Sequence, residues 1–469
     1  MKKWMILAAL CAGFGSATSM QGEVVYQILV DRFADGDTSN NAAVNKDDLR
    51  AWHGGDLKGI LQKIPYLKSL GVTTLWLTPI YTQQPINSFG TAGYHGYWPA
   101  DFRNVDPHFG TLEDFQILVK TVHDNGMKII LDQVINHTGY EASLPKEKPE
   151  WFHGTGCESL GNPEVFCPLA GLPDLKQEKP EVKQFLLEND LFWQGLGVDG
   201  FRYDAIRHVP ANFIQDLAAQ DQKNNVFTLG EVFETVSVQK VASFQKLGLT
   251  SVFDFPLREA INQTVMKGAG FTQVRAILNQ DKEYVNPAEL AVFLDNHDVT
   301  RFASGNLFEA EGTRRTQYGI RALMTLRGIP VLYQGTEIAM RGGNDPDNRK
   351  DMRFEDQWTE AEKATYAVAQ KAIAVRKSSE ALSRGTLKLL EVPSAYGEEL
   401  LLFIRDSGTE KVLVVWHNGK ERRTFSLKMN VQSPLTQDMF GQDAKLSGSG
   451  GYLHLSLPPR SAAAFPFSE

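Results

Sequence analysis

Cysteine is nearly missing from this chain, with three in 469 residues, which excludes a disulfide-dense scaffold and a multi-cysteine zinc fold. Beyond the N-terminal stretch no segment reaches the roughly 18 to 20 apolar residues of a membrane helix, so the mature protein is expected to be soluble, with no membrane insertion. Positive charge is also in deficit: 48 Lys and Arg against 56 Asp and Glu leave a net charge of −8. That balance argues against nucleic acid as a partner. There is no sequence repeat and no low-complexity tract, and 42% apolar with 22% charged content sets disorder aside. The length suits one large domain with one or two smaller ones.

What is present begins with "MKKWMILAALCAGFGSATSM". Two lysines, an apolar run and small residues with Ala17-Thr18-Ser19 as cleavage site predict a signal peptide over 1–19. A lipoprotein anchored through Cys11 is the weaker reading, because Leu10 stands where a small residue is expected. A secreted or periplasmic protein follows, and loss of Lys2 and Lys3 takes the charge from −8 to −10. The remaining cysteines, Cys157 and Cys167, lie ten apart in "GTGCESLGNPEVFCPLAG", and one disulfide is expected there. The alternatives are two free thiols or half a zinc site, for which no second Cys/His pair has suitable spacing nearby.

Eight short β-branched or apolar runs follow: "VVYQILV", "VTTLWLT", "MKIILDQVI", "VDGFRYD", "VFTLGEV", "SVFDF", "LAVFLDNHD" and "IPVLYQG". Most are separated by helix-length segments whose apolar residues recur at three- and four-residue spacing. This alternation predicts an α/β fold, a (β/α)8 TIM barrel, with a doubly wound open sheet as the alternative. Nearly sixty residues between strands three and four, rich in Gly, Pro and Lys, read as an inserted irregular subdomain. After about residue 380 five strand-like segments predict an antiparallel β-sandwich. The expected division is 20–137 and 197–379 for the barrel, 138–196 for the insert with its returning helix, and 380–469 for the sandwich.

In a barrel, function belongs at the C-terminal ends of the strands. Asp204, Glu231 and Asp298 fall there, and three buried carboxylates need cations, donors or a job. Arg202, two residues before Asp204, points to the same side of its strand; His137 and His297 lie close by. A carboxylate held by arginine suits a nucleophile, and a second carboxyl in the apolar setting of "TLGEVF" suits a general acid. Such a pair serves retaining glycoside hydrolysis at a separation of about 5 to 5.5 Å.

The blocks "DQVINH" (132–137), "GFRYDAIRH" (200–208), "GEVF" (230–233) and "FLDNHD" (293–298) resemble, in order and spacing, those of the α-amylase superfamily of glycoside hydrolases. The resemblance implies Asp204 as nucleophile, Glu231 as acid/base and Asp298 as the group that binds sugar hydroxyls, helped by His137, His297 and Arg202. Tyr97 in "GYHGYWPADF" would stack on the sugar before the cleaved bond. Asp345 and Arg349 in "GGNDPDNR" would contact more distant sugars, and Arg207 with His208 would face the acceptor, where Arg207 departs from the usual lysine.

By the same resemblance "DGDTSNN" and "HGGD" are similar to the calcium loop of cyclodextrin glycosyltransferases, with Asp35, Asp37, Asn40, Asn41, the Gly54 carbonyl and Asp56 as ligands. The residues alone fit an Asx-rich turn equally well. A second Ca2+ is implied at Asn136, Asp174 and the His208 carbonyl, both ions being structural. The expected activity is endo-hydrolysis of α-1,4 bonds in starch or maltodextrins by a monomer. The alternative is a 4-α-glucanotransferase or cyclodextrin-active enzyme, set lower because such transferases carry further C-terminal domains that this chain is too short to hold. A catalytically dead barrel used for binding is set lower still, because all three acids are present.

Overall fold

A computed structural model describes residues 19–429 and 436–467; residues 1–18 of the expected signal peptide, Cys11 among them, lie outside the described residues. All eight predicted runs contain strands: β1 (Val25–Ile28), β2 (Thr74–Leu77), β3 (Lys128–Gln133), β4 (Gly200–Tyr203), β5 (Phe227–Gly230), β6 (Ser251–Val252), β7 (Ala291–Phe293) and β8 (Ile329–Tyr333). They pair in parallel in the order β6-β5-β4-β3-β2-β1-β8-β7. A bridge from Phe253 to Ala291 joins the two ends. The barrel is therefore closed, and an open doubly wound sheet is set aside.

Strands buried on both faces need apolar residues at every position, which is why β3 reads "KIILDQ". Ile129 and Leu131 join the outer core under the helices. Ile130 points inward with Val25, Trp76, Phe227, Leu229, Phe253, Phe293, Ile329 and Val331. The helices bury one stripe each. The helix α1 (Leu112–Asp124) opens on a capping box between Thr111 and Asp114 and buries Phe115, Leu118, Val119 and Val122, the i, i+3, i+4, i+7 spacing of a core-facing helix.

Between β3 and the helix α2 (Pro180–Gly195) the chain makes short helical turns, among them Cys157–Leu160 and Pro163–Phe166. Cys157 and Cys167 are bonded there, with their Cα atoms 5.3 Å apart. A bridge from His137 to Asp174 ties this insert to the end of β3, and one from Phe152 to Leu175 closes the insert on itself.

The sandwich has two antiparallel sheets. One is ordered β9 (Thr386–Leu389), β10 (Leu400–Asp406), β11 (Lys411–His417), β16 (Ser461–Phe467); the other is β12 (Arg423–Lys428), β15 (Tyr452–Leu457), β14 (Lys445–Ser449), β13 (Thr436–Gln437). The period of two sorts β10 cleanly. Leu400, Leu402 and Ile404 face the second sheet, while Leu401 and Phe403 join the barrel core.

Candidate active site

Inward positions along a strand recur every second residue, so the residues beyond the apolar interior are fixed by register. Asp132 follows Ile130, Arg202 follows Gly200, and Glu231 follows Leu229. Arg202 is fully buried. Its Nη1 lies 2.8 Å from Asp132 Oδ1 and 2.8 Å from Asp204 Oδ1, and its Nη2 lies 2.9 Å from Glu231 Oε1. One guanidinium thus meets three carboxylates, the fork geometry that lysine cannot supply.

Glu231 and Asp298 are pushed apart. Burial raises Glu231, the Asp204 and Asp298 charges raise it further against Arg202, and its carboxyl reaches about 8. Ala205, held at φ 48°, donates its backbone N–H to Glu231 Oε2 at 3.1 Å. Burial also pulls Asp298 upward, but His297, Arg349 and Arg202 outweigh it and hold this carboxyl below the ordinary range. Asp298 Oδ1 lies 3.2 Å from Arg349 Nη2 and Oδ2 lies 3.3 Å from His297 Nε2. A cavity of about 360 Å3 opens beside Asp298, lined by Arg258, Asn262, Thr300, Arg301 and Asn344.

His297 is pushed down to about 3 by burial. The Gln27 amide nitrogen sits 2.6 Å from its Nδ1, so Nε2 carries the ring proton toward Asp298. Tyr97 stacks on this imidazole with ring centres 5.0 Å apart and planes 4° apart, while its hydroxyl donates to Asp132 Oδ2 at 2.8 Å. The ring stays partly exposed. Asp345, half exposed, pairs with Arg349 Nη1 at 3.1 Å and stands at the outer end of this chain of contacts.

Other predicted residues are engaged elsewhere. His137 is buried, with Nε2 3.1 Å from the Tyr97 carbonyl and Nδ1 3.3 Å from the Asn136 amide; both ring nitrogens face the protein. Arg207 Nη1 donates to the Phe233 carbonyl at 2.6 Å and Nε pairs with Glu164. His208 Nδ1 lies 2.7 Å from the Glu164 carbonyl. Sequence reasoning missed Asp132, Gln27 and Glu164. The parity of "IILDQ" would have found Asp132; a loop residue such as Glu164 carries no comparable signal.

Two oxygen clusters fit a hard cation. At the first, Asp35 Oδ1, Asn40 Oδ1 and Asn41 Oδ1 are buried with no hydrogen-bond partner. Gly54, at φ +87°, leaves a cradle in which a Cβ would meet Asn41 Oδ1 at 2.4 Å. Buried acceptors without donors are what calcium supplies a partner to. Two predicted ligands differ in detail: Asp37 Oδ2 lies 2.5 Å from Lys58 Nζ, and Asp56 accepts from the backbone of Gly36, Asp37 and Gly59 as the cap of Leu57–Gln62. At the second, the Asn136 amide lies 2.9 Å from the His208 carbonyl and 3.3 Å from Asp174 Oδ1: turned one way its nitrogen donates to both, and turned the other its oxygen would join them as a ligand set for a cation. Among the described residues the one His/Cys/Asp/Glu trio close enough to share a metal is Cys157, Glu158 and Cys167, and its two sulfurs are bonded to each other.

Residues 27–153 and 165–379 match the family model described as alpha amylase, catalytic domain. A beta/alpha-amylase of Paenibacillus polymyxa is 33% identical over an alignment of 489 positions, gaps included, which covers 96% of this chain but 38% of that protein. The alpha-amylase of Geobacillus thermoleovorans, solved with acarbose, superposes with a TM-score of 0.84 at 34% identity, covering 96% of this chain and 99% of its own. CldA, described as the first cyclomaltodextrin glucanotransferase with a three-domain ABC distribution, gives 0.86 at 32% identity over 95% and 99%. The last comparison corrects the length argument: a transferase of this kind exists at nearly the extent of this chain.

Proposed function

The chain belongs to the alpha-amylase catalytic-domain family, and from that premise we propose that it cleaves internal α-1,4 bonds of starch-like glucans and maltodextrins with retention of configuration. The observation that carries this reading is the single guanidinium of Arg202 between Asp204 and Glu231. Two carboxylates anchored to one fork suit the close spacing, about 5 to 5.5 Å, of a nucleophile and acid/base pair.

Glu231, protonated in its buried setting, gives its proton to the glycosidic oxygen as Asp204 bonds to the anomeric carbon and the leaving sugar departs. The glycosyl-enzyme then forms. Water attacks the same carbon, its proton returns to Glu231, and the bond to Asp204 breaks. Asp298, ionised between His297 and Arg349, accepts from the hydroxyls of the distorted ring. His297 Nε2 and the partly exposed face of Tyr97 orient that sugar. The likeness to CldA favours a second reading, in which an acceptor sugar hydroxyl replaces water and the enzyme acts as a 4-α-glucanotransferase or on cyclodextrins.

The two oxygen clusters would hold calcium through Asp35, Asn40, Asn41 and the Gly54 carbonyl, and through Asn136, Asp174 and the His208 carbonyl. Bound there, the ion would brace the loops and supply no Lewis acid to the reaction. Among the described residues no helix is long and apolar enough to cross a membrane. An exported protein, released from residues 1–19, is part of this reading, and the Cys157–Cys167 bond supports it.

Asp204→Asn is the test. Hydrolysis of a nitrophenyl maltotrioside is expected to fall by a factor on the order of 10⁴ or more, and survival at a substantial rate overturns the assignment. Products formed over time from maltoheptaose, amylose, pullulan and a cyclodextrin separate the two readings; early oligosaccharides longer than the substrate mark the transferase.

A further inference from the structure

Glu164 makes contacts that neither the barrel nor the acid cluster requires. It stands on the turn Pro163–Phe166, inside the loop closed by Cys157 and Cys167. Its carboxylate pairs with Arg207 Nε and lies 3.2 Å from Lys240 Nζ, while its backbone carbonyl faces His208 Nδ1 at 2.7 Å. One residue of the insert therefore grips two successive residues just past Asp204. Arg207 is fixed along a second edge as well, since Nη1 donates to the Phe233 carbonyl at 2.6 Å and lies 3.9 Å from Glu234 Oε2. With Nε and Nη1 committed, Nη2 is held by no partner among the described residues.

The side of the cleft on which this occurs follows from chemistry. Glu231 must reach the glycosidic oxygen, so the leaving sugar, and any sugar that later replaces it, passes along the segment after Glu231. Phe233 lies there, 45% exposed and 4.7 Å from the Phe255 ring. The Asp298, Arg349 and Asp345 contacts belong to the loops after β7 and β8, across the ring from the loops after β3, β4 and β5 that carry Glu164, Arg207 and Phe233.

Resting on the reading of a retaining α-glucan enzyme given above, we propose that Glu164 is a positioning residue for the acceptor side. It clamps the Nε edge of Arg207 so that Nη2 is presented as a fixed donor to the hydroxyls of an incoming sugar. The ligand class is the reducing-side portion of an α-glucan or a free maltooligosaccharide acceptor. In the transfer step the acceptor oxygen bonds to the anomeric carbon, the bond to Asp204 breaks, and the hydroxyl proton passes to the Glu231 carboxylate. Glu164 touches none of these atoms; it sets how well the acceptor competes with water. The arginine at position 207 then has its reason: a planar fork can be held at Nε and Nη1 and still offer Nη2 in a fixed direction, which an ammonium cannot do.

The experiment uses the full-length enzyme with a nitrophenyl maltotrioside as donor and added maltose as acceptor. Nitrophenol release without maltose reads formation of the glycosyl-enzyme; the ratio of transfer product to free maltotriose across maltose concentrations reads acceptor binding. For Glu164→Gln the maltose concentration giving half-maximal transfer is expected to rise roughly tenfold, the scale of one lost charge-assisted hydrogen bond, with nitrophenol release within about twofold of the parent. Arg207→Ala is expected to give a similar rise, the double variant no further one, and Glu164→Asp partial recovery. An unchanged acceptor constant in Glu164→Gln overturns the proposal, as does an equal fall in both readouts or full additivity with Arg207→Ala. Absence of nitrophenol release from the parent enzyme would instead sink the underlying reading, and this one with it.

Discussion

Arg202 is the cation that Asp132, Asp204 and Glu231 share, so the protonation of Glu231 depends on its neighbours. Glu231 acts as an acid only while protonated, and its raised position near 8 predicts that kcat/KM falls as pH climbs through that value. Asp298 is one of the charges that raise Glu231. Asp298→Asn is therefore expected to move the alkaline limb of the profile to lower pH, in addition to slowing the reaction; a limb that stays fixed would break the link between the two groups. The three acids at strand ends were legible in the sequence because charge is conspicuous beside an apolar strand. Asp132 was visible within "DQVINH", yet its pairing depends on which face of β3 meets β4. Arg207 read as an acceptor contact with an unexplained departure; Glu164, 43 residues away, was hidden because nothing periodic marks a loop.

Among the elements, β4 carries a second acid cluster on its outer face. Tyr203 donates to Asp190 Oδ2 of α2 at 2.6 Å and also contacts Asp221 of the helix α3 (Ala211–Lys223). Burial pushes Asp221 up to about 7, and burial with the Asp221 charge raises Asp190. The folded chain thus keeps a proton that the unfolded chain releases above about 4, so stability present at low pH is lost as pH rises from there through about 7. Asp221→Asn is expected to raise the melting temperature at pH 8 more than at pH 5, on the order of 2 kcal/mol of difference; melts with equal shifts at both pH values would refute it. The loops make a separate prediction. Chelator is expected to lower the melting temperature, because buried oxygens at Asp35, Asn40 and Asn41 lose their cation; no shift would exclude both calcium sites as stability determinants. Strands of the barrel were legible as apolar runs, whereas β13 and β14 were not, since "TQ" and "KLSGS" are short and polar; β14 pairs with β15, and β13 in turn with β14.

At the scale of the molecule, barrel and sandwich share a core. The first sandwich sheet buries Leu401, Phe403, Val412, Val414 and Trp416 in the barrel-side cluster. Trp416 Nε1 donates to Thr325 Oγ1 at 2.9 Å. Arg405, fully buried, donates to the carbonyls of Thr325, Leu326 and Gly385, and Arg376 donates to those of Met324, Leu326 and Gly328. Two guanidiniums thereby cap the C-terminal end of the helix α4 (Glu309–Thr325), where carbonyls lack partners and the helix dipole favours a cation. Calorimetry is expected to give one unfolding transition for barrel and sandwich together; two resolved transitions would mean that the shared core contributes little. The change of pattern near residue 380 predicted the sandwich but not its shared core, because a strand buried on both faces reads the same whether its second face meets a sheet or a barrel.

The last strand, Ser461–Phe467, lays Ala462 and Ala464 into that same barrel-side core. A chain emerging N-terminus first therefore has all eight barrel strands before the strand that covers this flank is synthesised. Every product that stops early leaves an apolar flank of the barrel open to water, and to any protease or chaperone that reads exposed hydrophobic surface. Passage of the catalytic segment alone therefore leaves that flank uncovered until the strand Ser461–Phe467 has followed it.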